Sequence, residues 1–307
     1  MRCQAAVTVI SYAAFCGQEM EQPAKVQGSM MTAAHTRVDM NDVARIMEIA
    51  LAAGDLVLRM QRDGYGAVRA KSNAFDIVTE ADLASETLIR TALERDYPGV
   101  PFWGEESNTP PAADEYWIVD PIDGTVNYAN GVPSYAVNIA LNRRAGAELA
   151  VTLELPARRI YWARRGHGAF RRATDGSDTR LHVNAVDELR RAILSTGFPY
   201  TRAETADNNT AEFVYFLPRC HGIRRMGSCA VDMALVAAGA FAAHWENDLN
   251  PWDIAPGALL IHEAGGLVTD YDGNPWTPAR RDFIAGNGQP ALHQALLDGI
   301  KLARANL

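Results

Sequence analysis

Helical spacing of apolar residues marks the start of the folded region. Apolar side chains recur every three to four positions over residues 43–58, which predicts an amphipathic helix with Asn41 as its N-cap. Thr79 and the acidic residues after it form a second N-cap signal, which predicts a helix through Leu93. We therefore expect the folded part of the chain to begin near Asp39 with two helices.

Strand signals follow these helices. Residues 116–119 form a short apolar run that predicts a buried strand. Runs at 135–141, 149–155 and 159–163 alternate with turns and predict an antiparallel meander. Further strands are predicted at 192–196, 241–245, around 268 and at 283–285, and further helices at 207–217, 229–238, 251–264 and from 290 onward. Because helices and strands occur in runs, the pattern indicates a layered α+β fold.

Composition adds limits on size and partners. The chain has 307 residues, 48% hydrophobic and 21% charged, which suits one large domain or two closely packed halves. We expect those halves at about 39–185 and 186–307. The net charge of -8 argues against a nucleic-acid partner. The four cysteines at 3, 16, 220 and 229 lack disulfide or metal spacing, which favours a reducing, cytoplasmic setting.

Residues 1–38 do not fit the pattern of the rest. Their apolar run, at 5–16, is too short to span a membrane as a helix, and no clean signal-peptide cleavage site follows it. We expect no membrane partner. We interpret residues 1–38 as a disordered extension or a wrongly assigned start, with Met30, Met31 or Met40 as the true first residue.

The stretch from Trp117 to Thr125 carries the strongest chemical signal. An apolar strand ends on Asp120, and Pro121 is expected to break the strand ladder so that Asp123 can converge with Asp120. Two converging carboxylates repel, so a cation is their natural partner. Gly124 permits an unusual backbone angle, and a helix beginning at Thr125 would attract phosphate. The plainer alternative is a strand that ends in an acidic turn.

Two further acidic positions border apolar segments without a nearby basic run: Glu105-Glu106 and Asp253. Carboxylate and carbonyl oxygens favour Mg²⁺, Mn²⁺ or Ca²⁺, whereas softer metals favour Cys and His. The sequence has no His-x-x-x-His or Cys-x-x-Cys pattern. Since Mg²⁺ usually acts with a phosphate substrate, the pattern predicts phosphate chemistry at a hard-metal site.

Three ordered motifs together resemble the inositol monophosphatase family, which is Mg²⁺-dependent and lithium-sensitive. They are Gly104-Glu105-Glu106-Ser107, Asp120-Pro121-Ile122-Asp123-Gly124-Thr125, and Trp252-Asp253 with the later Gly265-Gly266. The similarity runs from about Asp39 to the C-terminus and leaves out the first thirty-odd residues. It implies a layered α/β/α/β/α sandwich of the inositol monophosphatase and fructose-1,6-bisphosphatase type, usually as a homodimer.

The resemblance also implies roles for individual residues. Two to three Mg²⁺ ions would be held by Glu105, Asp120, the Ile122 carbonyl, Asp123 and Asp253. Mn²⁺ would be a possible substitute, and Li⁺ or Ca²⁺ would inhibit. No covalent phosphoenzyme is expected.

Catalytic and substrate roles follow from the same resemblance. Glu105 and Thr125 would orient the attacking water, and Asp82 would accept the Thr125 proton. Lys71 would lie near the metal site. The substrate would be bound by Asp123, Gly124, Thr125, Gly227, Ser228, Cys229, Glu246 and Asp253, with the backbone N–H groups of Gly124 and Thr125 on the phosphate and Glu246 on a hydroxyl.

Some residues have simpler explanations. Asp82 could be only a helix first-turn acid, and Thr125 only a cap. Cys229 departs from the family, in which alanine is common there, and a buried free cysteine is usually a small hydrophobe. We interpret Trp117 and Trp252 as core residues. The histidines at 167, 221, 244 and 262 have no evident partners, and we interpret them as structural or surface residues.

The same motifs bear on several rival functions. A haloacid-dehalogenase phosphatase is excluded because Pro121 stands where its motif needs an acid. Nucleotide 3′-phosphatases carry Lys-Glu-Phe where this chain has Val126-Asn127-Tyr128. Phosphatases for histidinol phosphate or fructose 1,6-bisphosphate stay open, as does a regulatory binding protein on the same scaffold. The sequence favours Mg²⁺-dependent hydrolysis of a small phosphorylated polyol, myo-inositol monophosphate above the others.

Overall fold

The computed structural model describes residues 38–64, 68–107, 109–144 and 146–305, so the prediction for residues 1–38 lies almost wholly outside it. Helix α1 (Met40–Asp63) begins two residues earlier than it would with Asn41 as the N-cap. The Asp39 carboxylate accepts hydrogen bonds from the backbone N of Asn41 and of Asp42, at 2.7 and 3.1 Å. Asp39 is therefore the N-cap, and the prediction of Asn41 was wrong.

A small ribbon and a second helix follow. Strands β1 (Val68–Ala70) and β2 (Ile77–Thr79) pair in antiparallel fashion, and Thr79 at the end of β2 caps α2 (Glu80–Asp96) as predicted. Because β2 runs directly into α2, the cap places the first turn of this helix at the edge of the site described below.

The larger sheet has seven strands in sequence order, and it confirms the predicted meander. Its strands are β3 (Phe102–Gly104), β4 (Glu115–Asp123), β5 (Tyr135–Arg143), β6 (Gly146–Leu155), β7 (Arg159–Arg164), β8 (Gly168–Arg172) and β9 (Asp178–Arg180). β3 is parallel to β4, and every later pair is antiparallel. The short helix α3 (Thr125–Ala129) separates β4 from β5.

The second sheet has five strands in the order β11-β10-β12-β14-β13. Its strands are β10 (Ile193–Thr196), β11 (Gly222–Arg224), β12 (Ala243–Glu246), β13 (Leu267–Thr269) and β14 (Phe283–Gly286). The helices of this half are α4 (Thr210–Phe216), α5 (Cys229–Ala237), α6 (Pro251–Glu263) and α7 (Pro290–Arg304), and a single 3-10 turn covers Leu189–Arg191. Strand β10 is parallel to β11 and β12, whereas β14 is antiparallel to both of its neighbours.

Three apolar clusters show the order of the layers. In β4, Val119 packs with α1 and α2, whereas the adjacent Ile118 packs with α5 and α6, as strand alternation requires. Phe283 of β14 belongs to the same cluster as Ile118, so α5 and α6 lie between the two sheets. Trp245 of β12 packs outward with α4 and α7. The resulting α/β/α/β/α sandwich confirms the predicted fold.

The central helix α6 is buried along almost its whole length. It ends as predicted, at Gly265, whose φ of +92° is the left-handed conformation that favours glycine. Trp117 and Trp252 are both buried, which confirms their interpretation as core residues. Within the described residues, every helix is too short or too polar to cross a membrane.

Candidate active site

A bulge in β4 brings two of the predicted carboxylates together. The prediction that the chain leaves the sheet at Pro121 was wrong, because β4 still pairs with β5 at Asp123, opposite Ala136. The register shifts between Asp120 and Asp123, and such an irregularity accommodates a proline that cannot donate to the ladder. Asp120 is fixed there because its Oδ1 accepts the Ile122 N–H at 3.0 Å.

The third carboxylate comes from the first turn of α6. Asp253 Oδ2 accepts the backbone N–H of Asn250 at 2.8 Å, so it also holds the helix N-terminus. Asn138 of β5 donates to the Trp252 carbonyl at 3.1 Å and accepts from Thr152 Oγ1 at 2.6 Å, which ties α6 to the larger sheet. One oxygen from each of Asp120, Asp123 and Asp253 lies within 4.8 Å of the others.

Burial raises the pKa of all three of these carboxyl groups. Burial, followed by repulsion from Glu105, Asp123 and Asp253, raises the pKa of Asp120 well above its usual range. Burial and the charge of Asp123 raise the pKa of Asp253 in the same way. Burial raises the pKa of Asp123 to about 6, although hydrogen bonds from Ser228 and Ala230 oppose the shift. An all-oxygen donor set with unbalanced charge fits a hard divalent cation.

Glu105 has a basic partner that is distant from it in the sequence. Lys71 Nζ lies 2.8 Å from Glu105 Oε1 and 2.6 Å from Glu106 Oε1. Burial alone would lower the pKa of Lys71, but the two carboxylates outweigh burial and raise it. Burial and the nearby Glu105 raise the pKa of Glu106 to about 7. Lys71 therefore lies beside the carboxylate cluster, as the resemblance implied.

A buried hydroxyl–carboxylate pair lies behind the cluster. Thr125 Oγ1 is 3.0 Å from Asp82 Oδ1 and 3.0 Å from the Ile122 carbonyl oxygen. The other Asp82 oxygen accepts from Thr79, from its N–H at 2.8 Å and its hydroxyl at 2.5 Å. Burial raises the pKa of Asp82 to about 6 despite these bonds. The Thr125 hydroxyl thus has two acceptors for its single proton.

The start of α3 approaches the segment before α5 closely. Gly124 has a φ of +91°, and a Cβ atom there would lie 3.0 Å from the Gly227 carbonyl oxygen. Across this contact Ser228 Oγ hydrogen-bonds Asp123 Oδ2, which also accepts the Ala230 N–H at 2.7 Å. The role of the Ala230 N–H was missed because any residue could supply it.

All of the predicted metal and substrate residues line one cavity of about 200 Å³. Asp82 lies behind its wall, reached through Thr125. Glu246, at the end of β12, faces this cavity beside Gly197. A Cβ atom at Gly197 would lie 2.0 Å from Glu246 Oε1, so the missing side chain makes room for the carboxylate. Sequence reasoning missed this role of Gly197.

His244 is a structural residue, as one of the two predicted alternatives had it, but the expectation that it has no partner was wrong. It is fully buried, with Nδ1 at 2.9 Å from Ser195 Oγ and Nε2 at 3.4 Å from Glu246 Oε2. The sequence did indicate this partner, because residues two apart on a strand share a face and Glu246 is one of the predicted substrate-binding residues. Asp232 of α5 also lies here, with Oδ2 at 3.8 Å from His244 Nδ1.

Comparison with known proteins gives consistent matches. The model of the inositol monophosphatase family matches residues 39–303. The Nus factor SuhB of Pseudomonas aeruginosa is 39% identical over 248 residues, covering 78% of this chain and 89% of that protein. The inositol-1-monophosphatase of Caulobacter vibrioides is 37% identical over 236 residues, covering 76% and 90%. The solved inositol monophosphatase from Anabaena (Nostoc) has a TM-score of 0.75 at 32% identity, covering 86% of this chain and 96% of that one.

Proposed function

The chain belongs to the inositol monophosphatase family, a family of phosphatases, and from this premise we propose that it hydrolyses myo-inositol monophosphate in a Mg²⁺-dependent reaction. The observation that carries the proposal is the convergence of Asp120, Asp123 and Asp253 in one cavity, with the Thr125–Asp82 pair at its wall. We also propose that the protein acts in the cytoplasm and forms a homodimer.

Metal binding is assigned to the carboxylate cluster. Asp120, Asp123 and Asp253, together with Glu105 and the Ile122 carbonyl, would hold two to three Mg²⁺ ions. Bound Mg²⁺ supplies an activated water and charge stabilisation for the leaving oxygen. Lys71 competes for Glu105 in the present arrangement, since the two groups lie 2.8 Å apart.

The protein's own proton acceptor is Asp82. Thr125, with Glu105, orients the attacking water. The Thr125 hydroxyl donates a hydrogen bond to Asp82 Oδ1, 3.0 Å away, and can transfer its proton there. Because burial raises the pKa of Asp82 to about 6, this carboxylate is a better base than an exposed aspartate would be. No covalent phosphoenzyme is required, because water is the nucleophile.

Substrate binding is divided between two sides of the cavity. The N–H groups of Gly124 and Thr125 hold the phosphate, close to Asp123 and Asp253. Gly227, Ser228 and Cys229 line the alcohol side, and Glu246 accepts a hydrogen bond from a hydroxyl. A ring of hydroxyl groups is therefore a better occupant than an apolar alcohol.

The test is phosphate release from inositol 1-phosphate as Mg²⁺ is varied. We expect turnover to need Mg²⁺ and to be inhibited by Li⁺ at concentrations on the order of millimolar. Activity that is unaffected by removal of divalent cations would contradict the metal assignment. Activity that resists Li⁺ would contradict the assignment to the inositol branch.

A second candidate is a regulatory binding protein on the phosphatase scaffold. The relative from Pseudomonas aeruginosa that is named a Nus factor favours it. An Asp120→Asn variant separates the two functions in cells that lack the native gene. If turnover is the function, this variant fails to restore the phenotype although it is folded. If partner binding is the function, it restores the phenotype fully.

A further inference from the structure

A second group of potential metal ligands borders the alcohol side of the cavity. Cys229 is the first residue of α5, and His244 and Glu246 lie on the same face of β12. One ligand atom from each residue lies within 4.8 Å of the others, and all three side chains are buried. The three donors are a sulfur, an imidazole nitrogen and a carboxylate oxygen, whereas the Asp120–Asp123–Asp253 cluster offers oxygen alone.

The free nitrogen of His244 points to a ligand. His244 Nε2 has no hydrogen-bond partner among the described residues, although the side chain is completely buried. A buried polar atom without a partner is costly and calls for an explanation. Glu246 Oε2 lies 3.4 Å from Nε2, in a geometry that does not form a hydrogen bond.

The other side of the ring fixes which nitrogen is available. Ser195 Oγ lies 2.9 Å from His244 Nδ1, and Asp232 Oδ2 lies 3.8 Å from the same nitrogen. When Nδ1 donates its proton to Ser195 Oγ, the lone pair of Nε2 is left for a cation beside Cys229 and Glu246. Metal-binding histidines are commonly oriented in this way by a polar partner on the second nitrogen.

We propose that Cys229, His244 and Glu246 form a second metal site, which binds a borderline-soft divalent cation such as Zn²⁺. Three protein ligands with one open position are typical of accessible zinc sites, and here Cys229 and Glu246 line the cavity. Ligands at zinc bond lengths of about 2.0–2.3 Å in a tetrahedron are roughly 3.5 Å apart, so only small side-chain movements are needed. On binding, the Cys229 thiol releases its proton to solvent.

Occupancy of this site has a functional consequence, which rests on the proposed function. A cation held by Glu246 withdraws that carboxylate from a substrate hydroxyl. Zn²⁺ would therefore act on the alcohol side of the cavity and leave the Mg²⁺ ligands in place. The site itself does not depend on the phosphatase assignment, so its test uses metal binding alone.

The experiment is titration of the full chain with Co²⁺, because a thiolate bound to Co²⁺ gives a near-ultraviolet charge-transfer band. A triple variant, Cys3→Ala, Cys16→Ala and Cys220→Ala, keeps Cys229 as the single thiol and is the matched control. We expect the band in the native chain and in this control, saturating at one equivalent and bleached by Zn²⁺ but not by excess Mg²⁺. The band should be absent from Cys229→Ala and from Cys229→Ser, which keeps the side-chain size.

A His244→Asn variant tests the imidazole separately. It keeps the thiol and a polar atom near Ser195, and we expect its apparent Zn²⁺ affinity, measured against a chromophoric chelator, to fall at least tenfold. Circular dichroism checks that each variant is folded. The proposal is overturned if the native chain gives no band, if the band survives in Cys229→Ala, or if His244→Asn binds Zn²⁺ as tightly as the native chain.

Discussion

Asp120, Asp123 and Asp253 repel one another in the absence of a cation, and their repulsion decides what a substitution should do. Asp120 is the most informative of the three, because its raised pKa comes from burial and from all of its acidic neighbours. An amide in its place would keep the hydrogen bond from the Ile122 N–H, since Asn also has an acceptor Oδ1. The two effects of the carboxylate, on stability and on metal binding, can therefore be separated.

We predict that Asp120→Asn lowers kcat at least about 100-fold. Loss of an outer-shell partner of a metal already costs up to about 100-fold, and Asp120 is proposed as a direct ligand. The same change should raise the Tm of the metal-free protein at pH 8, because it removes a buried like charge. Steady-state phosphate release and differential scanning fluorimetry measure the two effects. The exposed Asp114→Asn is the matched control. A lower metal-free Tm for Asp120→Asn would contradict the electrostatic account.

Thr125 gives a second residue-level prediction. Thr125→Val keeps the shape but removes the hydroxyl that pairs with Asp82 at 3.0 Å, so kcat should fall about 100-fold or more. Thr125→Ser keeps the hydroxyl and should retain most of the activity. Substrate titrations that separate kcat from KM make the comparison. Equal losses in the two variants would mean that the methyl group, and not the hydroxyl, is what the site needs.

Helices and strands position these residues, and two features of their arrangement could not be deduced from the sequence. The motif around Asp120 predicted converging carboxylates, but it predicted a broken strand where the structure has a bulge that continues to Asp123. The fit between Gly197 and Glu246 could not be deduced either, because Gly197 directly follows β10 and Glu246 ends β12, and these two strands pair only after folding. Local signals such as caps were readable, whereas contacts between distant segments were not.

The pairing of β10 with β12 leads to an element-level prediction. A Cβ atom at Gly197 would meet the far end of the Glu246 side chain, at 2.0 Å from Oε1, so the carboxylate can move while the fold survives. We expect Gly197→Ala to raise KM for inositol 1-phosphate roughly 10- to 100-fold, the value of one charged hydrogen bond. Gly286→Ala in β14 is the control, because its nearest contact would be an ordinary 3.7 Å. Similar KM values for Gly197→Ala and the native chain would contradict the assignment of Glu246 as a substrate-binding residue.

At the scale of the whole molecule, the site lies where the larger sheet meets α5, α6 and β12. Runs of helices and strands predicted a layered fold, and the resemblance supplied the number and order of layers. Composition could not supply that order, because an apolar strand does not tell which helices cover it; Val119 and Ile118 are neighbours that pack in different layers. The division at about residue 185 stays a prediction.

The excess of buried acid predicts how stability depends on pH. The folded pKa is about 6 for Asp82 and for Asp123, each above an ordinary value of 3.8, and about 7 for Glu106, above 4.5. The metal-free folded state thus holds protons that the unfolded chain has released between about pH 4 and 7. Its free energy of unfolding should fall as pH rises through that window.

Mg²⁺ should reverse this loss, because a bound cation favours the charged carboxylates. We predict that the increase in Tm caused by Mg²⁺ is larger at pH 8 than at pH 5. Scanning fluorimetry at fixed ionic strength measures it, with Asp120→Asn as the variant expected to show little increase at either pH. An equal increase at the two pH values in the native chain would contradict cation binding at the buried carboxylates.

The most direct test of the central claim is phosphate release by the purified protein from a panel of substrates, with and without Mg²⁺. The panel contains inositol 1-phosphate, histidinol phosphate, fructose 1,6-bisphosphate and adenosine 3′,5′-bisphosphate. We predict Mg²⁺-dependent release with the highest kcat/KM for inositol 1-phosphate. No release from any of the four substrates, by a protein that is folded and binds Mg²⁺, would contradict the claim and favour the regulatory binding protein.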